Sequence, residues 1–227
     1  NPLNHIKRDH LSFLVDFVQQ HGAVPRWNPY IFGGLPYIDA FHGDIFYPLS
    51  VLKFFGNIFR MLGLNLFIHI FLAGVFMYAT ARQFRLSKIP ALIAGVCYMF
   101  APYLMSFVAP GHDGKIFVTT LYPLVILFVE RGFQVRPFFN FSMVGLVIGL
   151  IILSPHPQMS YFMLWSVALY VAFKLVLLYL EKRRIKPLIR PAMLTAYAVV
   201  IGLLLSAIQF YPGYVYTNEF SPRGDTK

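Results

Sequence analysis

At 227 residues, 58% hydrophobic and 12% charged, with a mean hydropathy of +0.63, the chain is too apolar for a soluble globular domain, where about 45–50% apolar residues is usual. The excess is gathered into long runs, so the sequence reads as an integral membrane protein. The formal charge of +10 does not argue for nucleic acid, because the basic residues sit at the ends of the apolar runs rather than on one face. The single Cys97 excludes an intrachain disulfide and a cysteine cluster for zinc.

Residues 9–20, DHLSFLVDFVQQ, place Leu11, Leu14, Val15, Phe17 and Val18 on one helical face, with Asp9, Ser12, Asp16, Gln19 and Gln20 opposite. That pattern predicts a helix too short to span, lying in the membrane interface. Residues 25–48 are dense in Pro, Gly and aromatic side chains and have neither helical nor strand period. They predict an ordered loop at the membrane surface. Residues 50–62 repeat the amphipathic pattern: Val51, Leu52, Phe55, Ile58, Phe59 and Leu62 against Ser50, Lys53, Asn57 and Arg60. Residues 1–62 therefore read as one outer-face subdomain of helix, loop and helix.

Six apolar runs follow, at roughly 64–82, 89–108, 116–131, 138–154, 159–180 and 191–211. Against the ~20 residues a span needs, the third, which contains Pro123, and the fourth are the shortest. The expected fold is all-α: a polytopic bundle of about six transmembrane helices over residues 63–212, two interfacial amphipathic helices before it, and a tail over 213–227. The chain, which begins with Asn, is expected to be a piece of a longer protein, cut at both ends.

Alternate short loops differ sharply in charge. One set carries Arg82, Arg85 and Lys88, then Arg131 and Arg136, then Lys182, Arg183, Arg184, Lys186 and Arg190. The other set holds only Lys115. The positive-inside rule puts the first set in the cytoplasm, so residues 1–62, the turn PGHDGK (110–115), the turn SPHPQ (154–158) and the tail share the outer side.

In PGHDGK, two Gly flank an acid–base pair and a Lys at a helix start. Such a turn suits holding a phosphate or activating a hydroxyl through His112, Asp113 and Lys115. The same residues also fit a structural turn, with Asp113 capping and Lys115 snorkelling. In SPHPQ, His156 is held between two prolines and Gln158 starts the next helix; a lone His is usually a structural hydrogen-bonding residue, but two outer turns that each carry a His beside a polar partner point toward a shared site. Within the runs, Asn65, His69, Lys174 and Gln209 are polar. His69 is the deepest and suits an interhelical hydrogen bond; Lys174 suits snorkelling. No phosphate-loop, HExxH or paired-Cys motif occurs. No cofactor is called for, and the need for a divalent metal is left open.

WNPYIFGGLPY followed by FYPLSVL, then GHDGKI and HPQMSYF each ahead of a span, resembles the YfhO family of bacterial membrane proteins, in the same order from about residue 9 to SPRG near the end. That family in turn resembles the GT-C glycosyltransferases, polytopic enzymes that take sugar from a polyprenyl-phosphate donor on the outer membrane face. The resemblance implies a sugar transferase in the bacterial inner membrane. It also implies an essential acid in the first outer loop, for which Asp9 is the match in this sequence; an acid preceding residue 1 is the other option. It implies a second polar cluster at His112, Asp113 and Lys115, and a place beside the sugar or lipid phosphate for Arg26, Trp27 and Asn28. Lys115, with His112 or His156, would neutralise the donor phosphate, and Asp9 or Asp113 would deprotonate the acceptor hydroxyl.

The expected partners are membrane lipid and the polyprenyl-phosphate sugar donor, and no nucleic acid. The alternative is a non-enzymatic membrane protein, either a transporter of lipid-linked sugar or a structural subunit of a larger membrane complex. A transporter would carry its polar groups along the spans; a structural subunit would leave the outer loops apart.

Overall fold

The computed structural model describes residues 13–30, 33–40, 44–108 and 110–220. Among them are eight α-helices: α1 (13–21), α2 (Ile58–Gln83), α3 (Lys88–Met99), α4 (Pro102–Met105), α5 (Asp113–Gln134), α6 (Pro137–Leu153), α7 (Pro157–Lys182) and α8 (Lys186–Glu219). The only strands among the described residues are β1 (Trp27–Asn28) and β2 (Leu35–Pro36), and a 3-10 helix covers Pro48–Phe54. Five segments are long and apolar enough to cross a membrane: α2, the α3–α4 stretch Lys88–Met105, α5, α7 and α8. The chain is thus an all-α helical membrane protein. The sixth apolar helix, α6, has 17 residues, ~25 Å at 1.5 Å per residue, which is the lower limit for a span.

Three boundaries differ from those the hydropathy predicts. The run 89–108 is broken after Met99, because Pro102 forces Ala101 into an extended conformation (ψ 131°) before α4 can start. The expected tail from residue 213 is helical as far as Glu219, as the end of α8. The expected helix 50–62 is two elements. Its first half is 3-10, and at Asn57 the side-chain Oδ1 accepts from the amides of Phe59 (3.1 Å) and Arg60 (3.4 Å), which caps α2 and starts a new helix there.

The chain divides into two compact units, Asn1–Asn65 with Ile208–Lys227, and Leu66–Ala207. In the first, β1 and β2 pair antiparallel, Trp27 opposite Pro36 and Asn28 opposite Leu35. Gly34 (φ +119°) lies under the Trp27 indole, where a Cβ would come within 2.5 Å of the ring. Phe13 of α1 meets Tyr30 edge-on at 5.3 Å. The 3-10 helix reverses the expected polarity: Ser50 and Lys53 are buried, and Val51 and Phe55 are exposed. Residues three apart eclipse in a 3-10 helix, so Ser50 and Lys53 stand in line, and both bind the buried Asp44 carboxylate, one on each oxygen.

The Leu66–Ala207 unit is built on α5. In its most apolar stretch 67% of the residues are buried, against 11% in α7 and 17% in α8, so α5 lies at the core with the well-buried α6 beside it, and α7 and α8 are exposed along most of their length. Pro123 interrupts its ladder without ending it. Close helix contacts surround it. A Cβ on Gly95 of α3 would stand 2.8 Å from the Gly74 carbonyl of α2. Between α6 and α8, Gly145 faces the Ala198 carbonyl at 2.8 Å and Gly202 faces Ile148 at 2.5 Å by the same measure. Small residues allow backbones this close, which is how helices gain contact where no water drives them together.

Candidate functional site

Two turns meet at one end of the Leu66–Ala207 unit. The first leads into α5. Gly111 takes a left-handed conformation (φ +72°), the His112 amide bonds back to Phe107 O at 3.0 Å, and the Lys115 amide bonds to His112 O at 3.0 Å. His112 is the N-cap residue, but its side chain makes no capping bond. Asp113 is thus the first helical residue rather than the cap, placed where a helix N-terminus favours an acid.

The second turn joins α6 to α7. Ser154 closes it by donating to Ile151 O at 2.8 Å, and Ser160 ties α7 to the same carbonyl at 2.8 Å. Pro157 opens α7 at a position that needs no amide. His156 is the cap: its Nδ1 accepts from the Met159 amide at 3.2 Å. That bond requires an unprotonated Nδ1. Burial, and next the Lys115 charge, hold the His156 pKa below its ordinary value. His156 is therefore a neutral ring with an Nε2–H to offer.

Gly114 brings the turns together. A Cβ there would lie 3.0 Å from the Pro155 carbonyl carbon and 3.1 Å from His156 Cβ, so a side chain at 114 would have to push the start of α5 slightly away from the α6–α7 turn. Lys115 and His112 both lie close enough to His156 to act on it electrostatically. Lys115 Nζ lies 5.1 Å above the Phe107 ring, a cation–π seat that aims the ammonium. Phe107 in turn packs on Tyr103 at 4.5 Å and meets the His112 ring at 6.5 Å. His112 is exposed, and Asp113, Lys115 and His156 are half-buried. The cluster offers one cation, one carboxylate and two imidazoles around a turn at a bundle end. It suits an anionic group and a proton transfer beside it.

An apolar cleft of about 370 Å³ lies between α6, α7 and α8, walled among others by Phe141, Ile148, Trp165, Val199 and Leu203. Two of its residues, Ile152 and Tyr161, stand within five residues of His156 on either side of the turn.

The remaining predicted site residues fall elsewhere. Gln158 is exposed in the first turn of α7. Arg26, Trp27 and Asn28 belong to the hairpin of the other unit. Arg26 is exposed, Trp27 is 54% exposed on its Gly34 seat, and Asn28 is buried, its Oδ1 accepting from the Tyr30 amide at 3.0 Å. Asn28 thus has a turn-forming role. Asp9 lies outside the described residues. His69 stacks on Phe117 at 4.1 Å, joining α2 to α5 through rings. Among the described residues no three His, Cys, Asp or Glu side chains gather as metal ligands would.

Two polar clusters escape sequence reasoning. In α5, Glu130 accepts from Tyr170 (2.6 Å), Lys174 (3.0 Å) and Gln134 (2.7 Å), and Gln83 donates to Gln134 at 2.9 Å. Lys174, expected to snorkel, pairs inward because a carboxylate is in reach, at 2.9 Å from the second oxygen. The signal was one acid and one base, each inside an apolar run near a basic loop. In the other unit, Asp44 binds Lys53 and Ser50. Burial, and next this carboxylate, push the Tyr37 and Tyr47 hydroxyls well above their ordinary pKa.

No protein-family model, no curated protein and no solved structure matches the chain.

Proposed function

We propose that the chain is part of a glycosyltransferase-like membrane protein, moving a sugar from a polyprenyl-phosphate donor to an acceptor on the outer face of a bacterial cytoplasmic membrane, as the YfhO and GT-C resemblance implies. The observation that carries this reading is the seating of Gly114 against Pro155 and His156, which gathers His112, Asp113, Lys115 and His156 at one bundle end. The apolar cleft beside the turn supports a donor with a lipid chain.

In this reading Lys115 meets the donor phosphate. His156, being neutral, donates Nε2–H and leaves the charge to Lys115. Asp113, or Asp9, takes the proton from the acceptor hydroxyl. The acceptor oxygen bonds the anomeric carbon as the carbon–oxygen bond to the lipid phosphate breaks, its electron pair leaving on the phosphate.

The test reconstitutes the protein in vesicles with radiolabelled polyprenyl-phosphate sugar and envelope membranes as acceptor, scoring lipid retention and sugar release separately. Lys115→Gln and Asp113→Asn should each lower release about a hundredfold, on the order of 3 kcal/mol in barrier, at near-normal thermal stability. Unchanged release in both variants returns the turn to a structural role. Retention without release in the wild type favours the transporter reading. That rival has its own support in the ion pair Glu130–Lys174, since charged groups inside spans mark transport paths. The pair sits only four residues from the end of α5, away from the midplane where such sites lie.

A further inference from the structure

A cavity of about 480 Å³ lies between α2, α3, α5 and α7, at the bundle end opposite the His156 turn. Four hydroxyls border it, and each is turned to a protein partner. Thr80 donates to Pro123 O (2.7 Å), Tyr98 to Thr119 O (2.8 Å) and Tyr170 to Glu130 (2.6 Å), while Tyr122 accepts from Ser166 (2.9 Å). What faces inward is hydrocarbon: Met77, Ala81, Ala94 and Ile126 along the walls, with Phe84 and Leu86 at the α2–α3 turn.

Between Phe84 and Leu86 stands Arg85, exposed and left-handed at φ +65°. That conformation favours Gly at a helix end. The turn is well made, with the Leu86 amide on Ala81 O at 3.2 Å and the Arg82 guanidinium on Leu86 O at 2.6 Å. The same substitution recurs at the other two basic turns, Arg136 at φ +43° and Arg183 at φ +51°. The bond from Gln83 to Gln134 holds the end of α2 beside the end of α5, so the Arg85 and Arg136 turns are neighbours. Arg82, Arg85, Lys88, Arg131 and Arg136 are all exposed. The one acid in these stretches, Glu130, is turned inward to Lys174.

We infer that this is a binding site for an anionic phospholipid, with one acyl chain in the cavity and the headgroup phosphate on Arg85 and Arg136. An apolar chamber inside a span suits an acyl chain. A mouth carrying cations with no exposed acid selects an anionic headgroup over a zwitterionic one. The planar guanidinium of arginine meets phosphate with two parallel bonds, which suits the residue type at both turns.

The experiment uses the full chain in nanodiscs of phosphatidylcholine, with or without phosphatidylglycerol, and reads the thermal midpoint together with lipid retained in native mass spectra. Wild-type protein should gain stability with phosphatidylglycerol and keep it bound. Arg85→Gly should match or exceed wild type in pure phosphatidylcholine, because Gly suits φ +65°, yet lose the gain. Arg85→Lys, which keeps the charge but not the two parallel bonds, should keep only part of it. Ala94→Phe, which fills the cavity, should lose the retained lipid. The site is overturned if wild type unfolds alike in both bilayers, if Arg85→Gly keeps the full gain, or if phosphatidylcholine is retained as firmly. Because Arg85 is exposed, its variants keep the test decisive should Ala94→Phe fail to fold.

Discussion

The Tyr98 hydroxyl donates at 2.8 Å to the carbonyl of Thr119, the carbonyl that Pro123 leaves without its helical donor four residues on. A proline in a span strands a backbone acceptor where no water can reach it, and a side chain from α3 supplies the missing bond. The Pro123 carbonyl is bonded in the same way, by Thr80 of α2 at 2.7 Å. The kink-prone centre of α5 is thereby tied to both of its neighbours.

Tyr98→Phe should therefore cost about 0.6–1.7 kcal/mol, the range for interhelical hydrogen bonds in membranes. Pro123→Ala restores the amide donor, so in that background Tyr98→Phe should cost less. A double-mutant cycle on unfolding in detergent measures the coupling, and additive effects would separate the two residues.

The Glu130–Lys174 pair gives a sharper contrast. A snorkelling Lys would tolerate Lys174→Met with little change. An ion-pair partner of Glu130 would not: removing it leaves the carboxylate held only by Tyr170 and Gln134, at about 1.5–3 kcal/mol for the lost charged hydrogen bond. The double variant Glu130→Gln with Lys174→Met should recover much of the loss. Lys182→Met at the exposed Glu181–Lys182 pair should change stability little. Equal effects at both lysines would refute the distinction.

For His156 the sign follows from its depressed pKa. The folded chain binds fewer protons at this ring than the unfolded chain, which takes them up near pH 6.5. Stability from His156 is thus complete above pH 6.5 and is lost as pH falls from there through the folded pKa. Protonation also removes the Nδ1 acceptor that caps α7. His156→Asn keeps a capping side chain without titrating. Its midpoint should fall less than wild type between pH 6.5 and 5; parallel curves would assign the ring no such role.

In the other unit, Asp44→Ala should destabilise by about 3–5 kcal/mol, because it leaves Lys53 buried and unpaired. Asp44→Ala with Lys53→Met should be milder than Asp44→Ala alone. Urea unfolding followed by Trp27 fluorescence in a Trp165→Phe background reports on this unit, and a neutral single variant would place Lys53 in solvent.

Much of the membrane unit was legible because a span is a local property: about twenty apolar residues announce themselves regardless of neighbours. Pro102 split the second run, and Asn57 capped a helix in the middle of the continuous 50–62 wheel; both are local signals that hydropathy averaging smooths over. Lys53 went to the wrong face because a wheel of 3.6 residues assigns polar side chains to water, and the carboxylate that buries it comes from a loop nine residues upstream. Lys174 and Glu130 lie 44 residues apart, and only the α5–α7 contact makes them a pair. The site residues His112, Asp113, Lys115 and His156 were legible as chemistry. Their convergence was legible only as a shared site for two His-bearing outer turns; the contact itself depends on Gly114 allowing the turns to touch.

The glycine contact between α6 and α8 has a consequence for synthesis. Gly149 leaves the ribosome 53 residues before Gly202, roughly 3–10 s at 5–20 residues per second. During that interval the Gly145 and Gly149 face of α6 is without its α8 partner. Any other helix with a small-residue face that arrives first competes for it. The timing of translation through residues 186–202, and not the sequence of α6 itself, decides whether that face is covered by its own chain.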